Sequence, residues 1–475
     1  MASSYDFGFQ RLTRLLLRWA AIVLLTGLFA ANVYRAATQS LTIDEAFTYQ
    51  LYLAKNLRAI LTEYDANNHV LYTLLAKLSV GLFGTGEFAI RLPSVLGGLV
   101  YFYAVFRVCW FYFTDRFLFV VGVAALTVNP FVLDFLSAGR GYGLGLALWM
   151  LGLWFLLDGR LERAGAALGL AVAANLTMVF PGAGLILAYG IWKIAPLRSR
   201  LELGGESPLR GLGAGRQVQE GGAWSIVDRL ILPAVAASFI VLVIPLANLK
   251  PGSFYAGSET LWRGVQTVVS MSLRHHMTVI PNVQIVLLQY LFPVMLVCVV
   301  LLAWKPSPEF AWLGGALVLT IVLLVVAHYG VHLLYPEMRT GLYLCPLFTL
   351  VYLLGLRDRK IWWGAPLWLL LGLYAFEWNT SHYAEWKFDA GTQRISELLR
   401  GRHPRRVGAS WELEPALNYY RAQYRMYGME PVLRTSPDGD YDLYVLLPSN
   451  YGVISRRRLK EVYRDPLSQA VLAAP

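Results

Sequence analysis

Two adjacent carboxylates, Asp44 and Glu45, stand in Leu41-Thr42-Ile43-Asp44-Glu45-Ala46-Phe47-Thr48-Tyr49, directly after the first long apolar run. Carboxylates just past a membrane span are costly unless they face water, a cation or a reaction. A carboxylate in that place can take a proton from a hydroxyl. A structural reading stands beside this one: Thr42 and Glu45 fit a capping box, and Asp44 suits a helix N-terminus. Further polar groups recur near other span ends: Asn67, Asn68 and His69, then Arg140 and Tyr142 in Ser137-Ala138-Gly139-Arg140-Gly141-Tyr142, then His275 and His276, then Glu337 and Arg339. Arginines and histidines can hold an anion. Base and cations together suit attack by an acceptor hydroxyl on a sugar whose leaving group is a lipid phosphate. That phosphate departs as an anion and needs cationic stabilisation more than protonation.

Each group also has a structural use. Arg140 can snorkel to headgroups, Tyr142 can belong to an aromatic belt, and His275-His276 can be an exposed loop pair. Glu87 and Arg91 can pair at the start of a span, and Arg339, after Tyr335-Pro336-Glu337, can anchor a span entrance.

The elements that must position these groups are membrane helices. Of 475 residues 57% are hydrophobic and only 15% charged, with mean hydropathy +0.49. That composition is polytopic, and only helices or closed barrels cross a bilayer. The net charge of +11 is spread in short clusters between apolar runs. This fits cytoplasmic loops and argues against nucleic acid as a partner. Cys109, Cys298 and Cys345 are dispersed, with neither metal spacing nor a disulfide framework. Arg11, Arg14 and Arg18 precede an apolar run long for a cleaved signal, which reads as a retained first helix.

Loop charge sets the expected topology. Span one, 15–37, delivers Asp44 and Glu45 outside. The run 69–83 is short for a span, and 44–63 and 69–83 read as juxtamembrane helices of one outer loop, 38–89. Spans follow at 90–111, 117–135 and 141–158, with a hairpin of 164–179 and 180–194 broken near Pro181. A cytoplasmic linker occupies 197–227, and further spans are expected at 229–247, 284–304, 310–328, 340–356 and 362–378, with an outer loop at 248–283. The sum is about eleven transmembrane helices in a catalytic module over 1–379. Residues 380–475 are polar and read as a small extracytoplasmic α/β domain, with a helix at 391–400, strands at 405–410 and 441–447, and a helix through Tyr419-Tyr420-Arg421. The scheme puts Asp44, Glu45, Asn67, Asn68, His69, Arg140, Tyr142, His275, His276, Glu337 and Arg339 on one face.

The chain resembles GT-C fold glycosyltransferases of the protein O-mannosyltransferase and aminoarabinose transferase type. The resemblance rests on Asp44-Glu45 after span one, on Asn68-His69-Val70-Leu71-Tyr72, similar to the family's His-Pro-Pro-Leu-Tyr, and on Phe83-Gly84-Thr85-Gly86-Glu87-Phe88-Ala89-Ile90-Arg91-Leu92-Pro93-Ser94. Arg140-Gly141-Tyr142 matches the family's Arg-x-Tyr after the third span. The match covers the first 145 residues well and the remainder in outline.

The resemblance implies Asp44 as general base for inverting transfer and a donor sugar on polyprenyl phosphate. By it His69, Arg140 and Arg339 are the phosphate candidates, with Tyr142 beside them, and Glu45 supports Asp44 or touches the acceptor. Asn68, His275, His276 and Glu337 are substrate-binding candidates. Val70 stands where the family has proline, and no lysine is there. The Trp-Trp-Asp signature of oligosaccharyltransferases is absent; Trp362-Trp363-Gly364 stands at the expected cytoplasmic end.

The expected protein is a multi-pass glycosyltransferase of the inner (cytoplasmic) membrane, with its site on the periplasmic side. Its acceptor is a protein, glycan or lipid. No cofactor is required by the residues, and no metal ligand set is assigned. A divalent cation stays open only if Asp44, Glu45, His275 and His276 converge. The alternative from another class is a lipid-phosphate flippase or transporter without chemistry, for which polar groups should line a path through the bilayer. A non-catalytic assembly partner of another transferase is a third.

Overall fold

The computed structural model describes residues 2–65, 67–113, 117–194, 223–249, 257–273, 291–303, 306–357 and 359–475. The chain begins with the long apolar helix α1 (Ala2–Thr38) and turns sharply into α2 (Ile43–Thr48). The turn is made by a capping box: Glu45 N–H donates to Thr42 Oγ1, and Thr42 N–H donates to the Glu45 carboxylate at 2.8 Å. Short helix α3 (Leu57–Thr62), capped by Asn56, and α4 (Val70–Phe83) follow. Gly84, at φ 87°, ends α4 in the left-handed region that glycine tolerates.

Helices α5 (Glu87–Phe113), α6 (Leu118–Thr127), α7 (Pro130–Phe135), α8 (Gly141–Leu157), α9 (Leu161–Ala174) and α10 (Val179–Ile194) build the first half of the bundle. The second half holds α11 (Leu232–Ala247), α12 (Leu261–Met271), α13 (Phe292–Leu302), α14 (Pro308–Val331), α15 (Leu344–Leu356) and α16 (Ala365–Glu377). Among the described residues six helices are long and apolar enough to cross a membrane: Leu12–Thr38, Glu87–Phe113, Leu176–Lys193, Trp224–Ala247, Pro308–Val331 and Met338–Leu356. Four shorter apolar helices accompany them: Val70–Phe83, Leu118–Thr127, Gly141–Leu157 and Phe292–Leu302. The expected eleven are therefore not eleven long rods. The long helices carry exposed apolar faces (Ile240 is 77% exposed) that suit lipid and not water. The chain is a multi-pass membrane protein.

Three boundaries differ from expectation. The span expected at 117–135 is interrupted: α6 stops at Thr127, and Asn129 caps a new helix from Pro130. The hairpin breaks at Asn175, whose extended backbone (φ −157°, ψ 120°) starts the next turn, and not at Pro181. Pro181 lies in the first turn of α10, where its missing N–H had no helical partner to lose. Of the linker expected at 197–227, residues 197–222 lie outside the described residues, and helix resumes at Ala223. Gly165 and Gly169 on α9 let α11 approach closely, since a Cβ at Gly169 would lie 2.1 Å from the Ala234 carbonyl.

The C-terminal part holds α17 (Thr392–Arg402), β1 (Val407–Ala409), α18 (Glu414–Gln423), β2 (Leu443–Leu446), α19 (Gly452–Arg457), β3 (Lys460–Arg464) and β4 (Val471–Ala474). The sheet order is β1-β2-β4-β3, with β1 parallel to β2 and the other pairs antiparallel. Strands β3 and β4 went unforeseen: β3 is largely exposed and carries charges, and β4 is buried as a short apolar run with no alternation to mark it. Ile395, Leu399, Leu417, Val445 and Leu472 form the core between sheet and helices. Tyr419 and Tyr420 of α18 instead pack with Leu41, Ala46 and Tyr72, so α18 is tied to the turn that carries Asp44.

Candidate active site

Asp44 sits in the first turn of α2, and three separate stretches, at Arg91, at Asp389-Ala390 and at Tyr420, hold that turn in place. The Leu41 N–H donates to the Tyr420 hydroxyl at 2.8 Å, and the Ile43 N–H donates to Asp389 Oδ2 at 2.7 Å. Ser40 Oγ donates to the Ala390 carbonyl at 2.8 Å. Arg91 of α5 donates to the Gln39 and Ser40 carbonyls, both at 2.7 Å. Among these groups the Ile43 N–H is a donor that the start of α2 would otherwise leave orphaned.

Of the two roles expected for Glu45, support of Asp44 or contact with the acceptor, its surroundings fit the first. It is wholly buried, and Arg91 Nε and Nη2 donate to its two oxygens at 2.8 and 2.7 Å. The N–H groups of Thr42 and Gly139 take further lone pairs. Burial pushes the carboxyl up, but the Arg91 charge and hydrogen bond outweigh it and hold Glu45 below the usual carboxylate range. Glu45 fixes the turn and the stretch of chain at Gly139. Arg91 pairs with Glu45 and not with Glu87, which corrects one expectation.

Asp44, by contrast, is partly open, with its side chain 13% exposed. Its Oδ2 lies 3.1 Å from Arg339 Nη1 and accepts from Trp386 Nε1 at 3.2 Å. Burial raises its pKa, and the charges of Arg339 and Arg140 with the Trp386 bond more than reverse that. The carboxyl is thus ionised below the usual range, and Oδ1 makes none of these contacts. Arg339 also pairs with Glu385, so one guanidinium bridges two carboxylates.

Arg140 is 1% exposed and lies beneath the site. It donates to Thr48 Oγ1 at 3.2 Å and to Asn67 Oδ1 at 3.0 Å. The His69 ring meets Tyr142 edge-on at 4.8 Å between centroids, and its Nε2 has no hydrogen-bond partner. Burial, then Arg140 and Arg339, push His69 well below the ordinary histidine value, so it is neutral. Phe135 stacks edge-on between Tyr142, at 5.2 Å, and Trp386, at 5.6 Å. The sequence candidates Asp44, His69, Arg140, Tyr142 and Arg339 therefore converge.

Others do not reach the cluster through their side chains. Asn68 donates to the Ile60 carbonyl at 2.8 Å, and its neighbour Asn67 is the one that meets Arg140. The Glu337 side chain caps the turn Met338–Gly341 that presents Arg339. His275 and His276 lie outside the described residues. Among the described residues no cluster of three or more metal-ligating side chains forms.

Glu385 and Trp386 were missed. Both stand shortly after the last apolar helix, the same context that marks Asp44, but Tyr383-Ala384-Glu385-Trp386-Lys387 carries no paired acid to attract notice. Asp134 positions them: it pairs with Arg35, and its Oδ2 accepts the Ala384 N–H at 2.9 Å.

The opposite end of the bundle gathers basic residues. Arg18 lies over Trp110, Arg107 over Trp154, Arg229 against Glu162 and Arg357 against Glu309. That asymmetry is the one the positive-inside rule associates with the cytoplasm.

The chain is similar to two crystal structures of ArnT from Cupriavidus metallidurans. Against the one bound to undecaprenyl phosphate the TM-score is 0.38 at 13% identity, covering 95% of this chain and 97% of that one. Against the apo state the values are 0.39 and 14%, with the same coverage. It is also similar to a cryo-EM structure of arabinofuranosyltransferase AftD from Mycobacteria, with a TM-score of 0.46 at 15% identity, over 83% of this chain and 29% of AftD. No protein-family model and no curated protein sequence matches the chain.

Proposed function

We propose that this protein is an inverting membrane glycosyltransferase that moves a sugar from a polyprenyl-phosphate donor to an acceptor hydroxyl. The observation that carries the reading is Asp44, an ionised, partly exposed carboxylate held 3.1 Å from Arg339 at a site that also gathers Arg140, His69 and Tyr142. The order of the matching motifs in the first 145 residues supports the same reading.

In the reaction Asp44 Oδ1 takes the acceptor hydroxyl's proton as its oxygen attacks the anomeric carbon from the face opposite the phosphate. The bond from that carbon to the phosphate oxygen breaks with its electron pair on the phosphate. Arg339, the more exposed of the two arginines at 26%, meets the charge that develops there. Arg140, buried below, adds its field and holds the loop at Asn67. Neutral His69 offers Nε2 to a sugar hydroxyl or a phosphate oxygen. The basic residues at the far end support a cytoplasmic assignment for that end, and with it an extracytoplasmic site that the donor enters from the outer leaflet.

The test is chemical. Purified chain in lipid is given a polyprenyl-phosphate-linked sugar pool, radiolabelled in the sugar, with candidate acceptors of the three classes: protein, glycan and lipid. Label should leave the lipid for one acceptor, and NMR should show the opposite anomer. Retention of configuration, or no transfer to any class, would refute the reading.

A further inference from the structure

Glu385 is a charged group whose place the transfer reaction, as described, leaves unused. Its Oε1 pairs with Arg339, the arginine that also serves Asp44, while its Oε2 is buried with no hydrogen-bond partner. The side chain is 11% exposed and fixed by the Asp134–Ala384 bond one residue away. With both carboxylates ionised, the two cations Arg140 and Arg339 are matched by Asp44 and Glu385, the facing His69 is neutral, and the site is electrically balanced.

A sugar phosphodiester brings one negative charge. If both carboxylates stayed ionised, the filled site would hold an uncompensated anion in a largely dry setting, which is costly. We propose that donor binding is coupled to uptake of one proton by Glu385, whose carboxylate yields Arg339 to the donor phosphate. The inference rests on the glycosyltransferase reading above and adds the proton that reading lacks. The proton comes from solvent, no donor bond breaks in the step, and the neutral carboxyl can donate through its O–H to a phosphate oxygen.

The balance then persists through the reaction. When the bond to the anomeric carbon breaks, the lipid phosphate gains a second negative charge. Asp44 loses its own charge at the same moment by accepting the hydroxyl proton. With Glu385 neutral, two arginines face two negative charges before and after transfer.

Glu385 rather than Asp44 is the group that takes up the proton on binding. The groups facing Glu385 are Arg339, Asp44 and Arg140; burial, the largest influence, and Asp44 raise its pKa while the arginines lower it, and the net is upward. Asp44 is held below the ordinary range, by Arg339 and Arg140 against burial. When a phosphate occupies Arg339, Glu385 loses its main cation and its proton affinity rises further.

The experiment measures binding, not turnover, on the full chain in detergent. The probe is undecaprenyl methyl phosphate, a phosphodiester whose single charge is fixed from about pH 5 to 8, so that only the protein titrates. In the wild type, affinity should weaken by up to about tenfold per pH unit above the free-state pKa of Glu385. E385Q, which mimics the protonated carboxyl, should bind as tightly as the wild type does at low pH and show no such slope. Calorimetry of the wild type in buffers of different ionisation heat should report about one proton taken up per lipid in the sloping range, and it needs no variant. A flat wild-type profile, an E385Q slope as steep as the wild type's, or zero proton uptake overturns the proposal while leaving the enzyme reading intact. Failure of the wild type to bind the probe at any pH overturns both.

Discussion

Arg91 and Glu45 form a two-bond ion pair with both side chains wholly buried, one residue past the partly exposed carboxylate of Asp44. The pair ties α5 to the turn between α1 and α2, and through the Gly139 N–H it also ties in the segment before α8. Breaking one partner leaves a buried charge alone. Glu45→Gln should therefore cost about 3–5 kcal/mol of stability, read as a large fall in melting temperature of the detergent-solubilised chain. A fall corresponding to under about 1 kcal/mol, as for an exposed pair, would show that Arg91 is not held as described.

Asp389 offers a stability test with a definite sign. Its Oδ2 accepts the Ile43 N–H, its Oδ1 has no partner, and burial, followed by the nearby Asp44, Glu45 and Glu412 charges, holds its pKa well above the usual range. The folded state thus holds a proton that the unfolded chain gives up near its ordinary value of 3.8. The stabilising contribution is complete below that value and is lost as pH rises through the folded-state pKa. Asp389→Asn keeps the acceptor without the charge, so it should flatten the decline seen with rising pH. An unchanged pH–stability curve in the variant would contradict this.

Arg140 acts on Asp44 through charge. Removing it takes away one of the influences that hold the Asp44 carboxyl low. The acid limb of kcat/KM for Arg140→Ala should accordingly move to higher pH, with a raised KM for donor. Arg140→Lys keeps the charge but not the fork that reaches both Thr48 and Asn67. It should restore the limb without fully restoring KM. If the limb moves to lower pH or stays put, Asp44 is not the group titrating.

Gly141 separates Arg140 from Tyr142 because a side chain has no room there. A Cβ would lie 2.1 Å from the Ala174 carbonyl and 2.6 Å from the His69 Cβ. Gly141→Ala must push His69 or the start of α8 aside, so donor affinity should drop at least tenfold. Normal affinity in this variant would mean that His69 does not contact the donor.

Much of this site could be read from residue types because the chain places its polar groups at span ends, where apolar runs make them conspicuous. Asp44, His69, Arg140, Tyr142 and Arg339 were all visible in that way, and Arg140-Gly141-Tyr142 also gave its spacing. Depth was not visible. Glu45 and Asp44 are adjacent in sequence, yet a helical turn sends one into Arg91 and leaves the other beside Arg339, a choice made by contacts from α5 and from residues 385–389. Glu385 and Trp386 were hidden because their partners lie more than forty residues away in the chain, Arg339 for one and Asp44 for the other. The helix breaks at Asn129 and Asn175 were obscured by apolar runs that continue across them, since hydropathy marks membrane depth and not the cap that interrupts a helix.

The central claim is that Asp44 is the base of a sugar transfer. Asp44→Asn keeps the size and an oxygen acceptor for Arg339 and Trp386 but cannot take the hydroxyl proton. The measurement is transfer from the radiolabelled polyprenyl-phosphate sugar pool by wild type and variant, alongside lipid-phosphate binding by each. Turnover should fall by roughly 10²–10⁴ while binding persists. Turnover that survives the substitution would contradict the account, as would a loss that tracks a loss of binding.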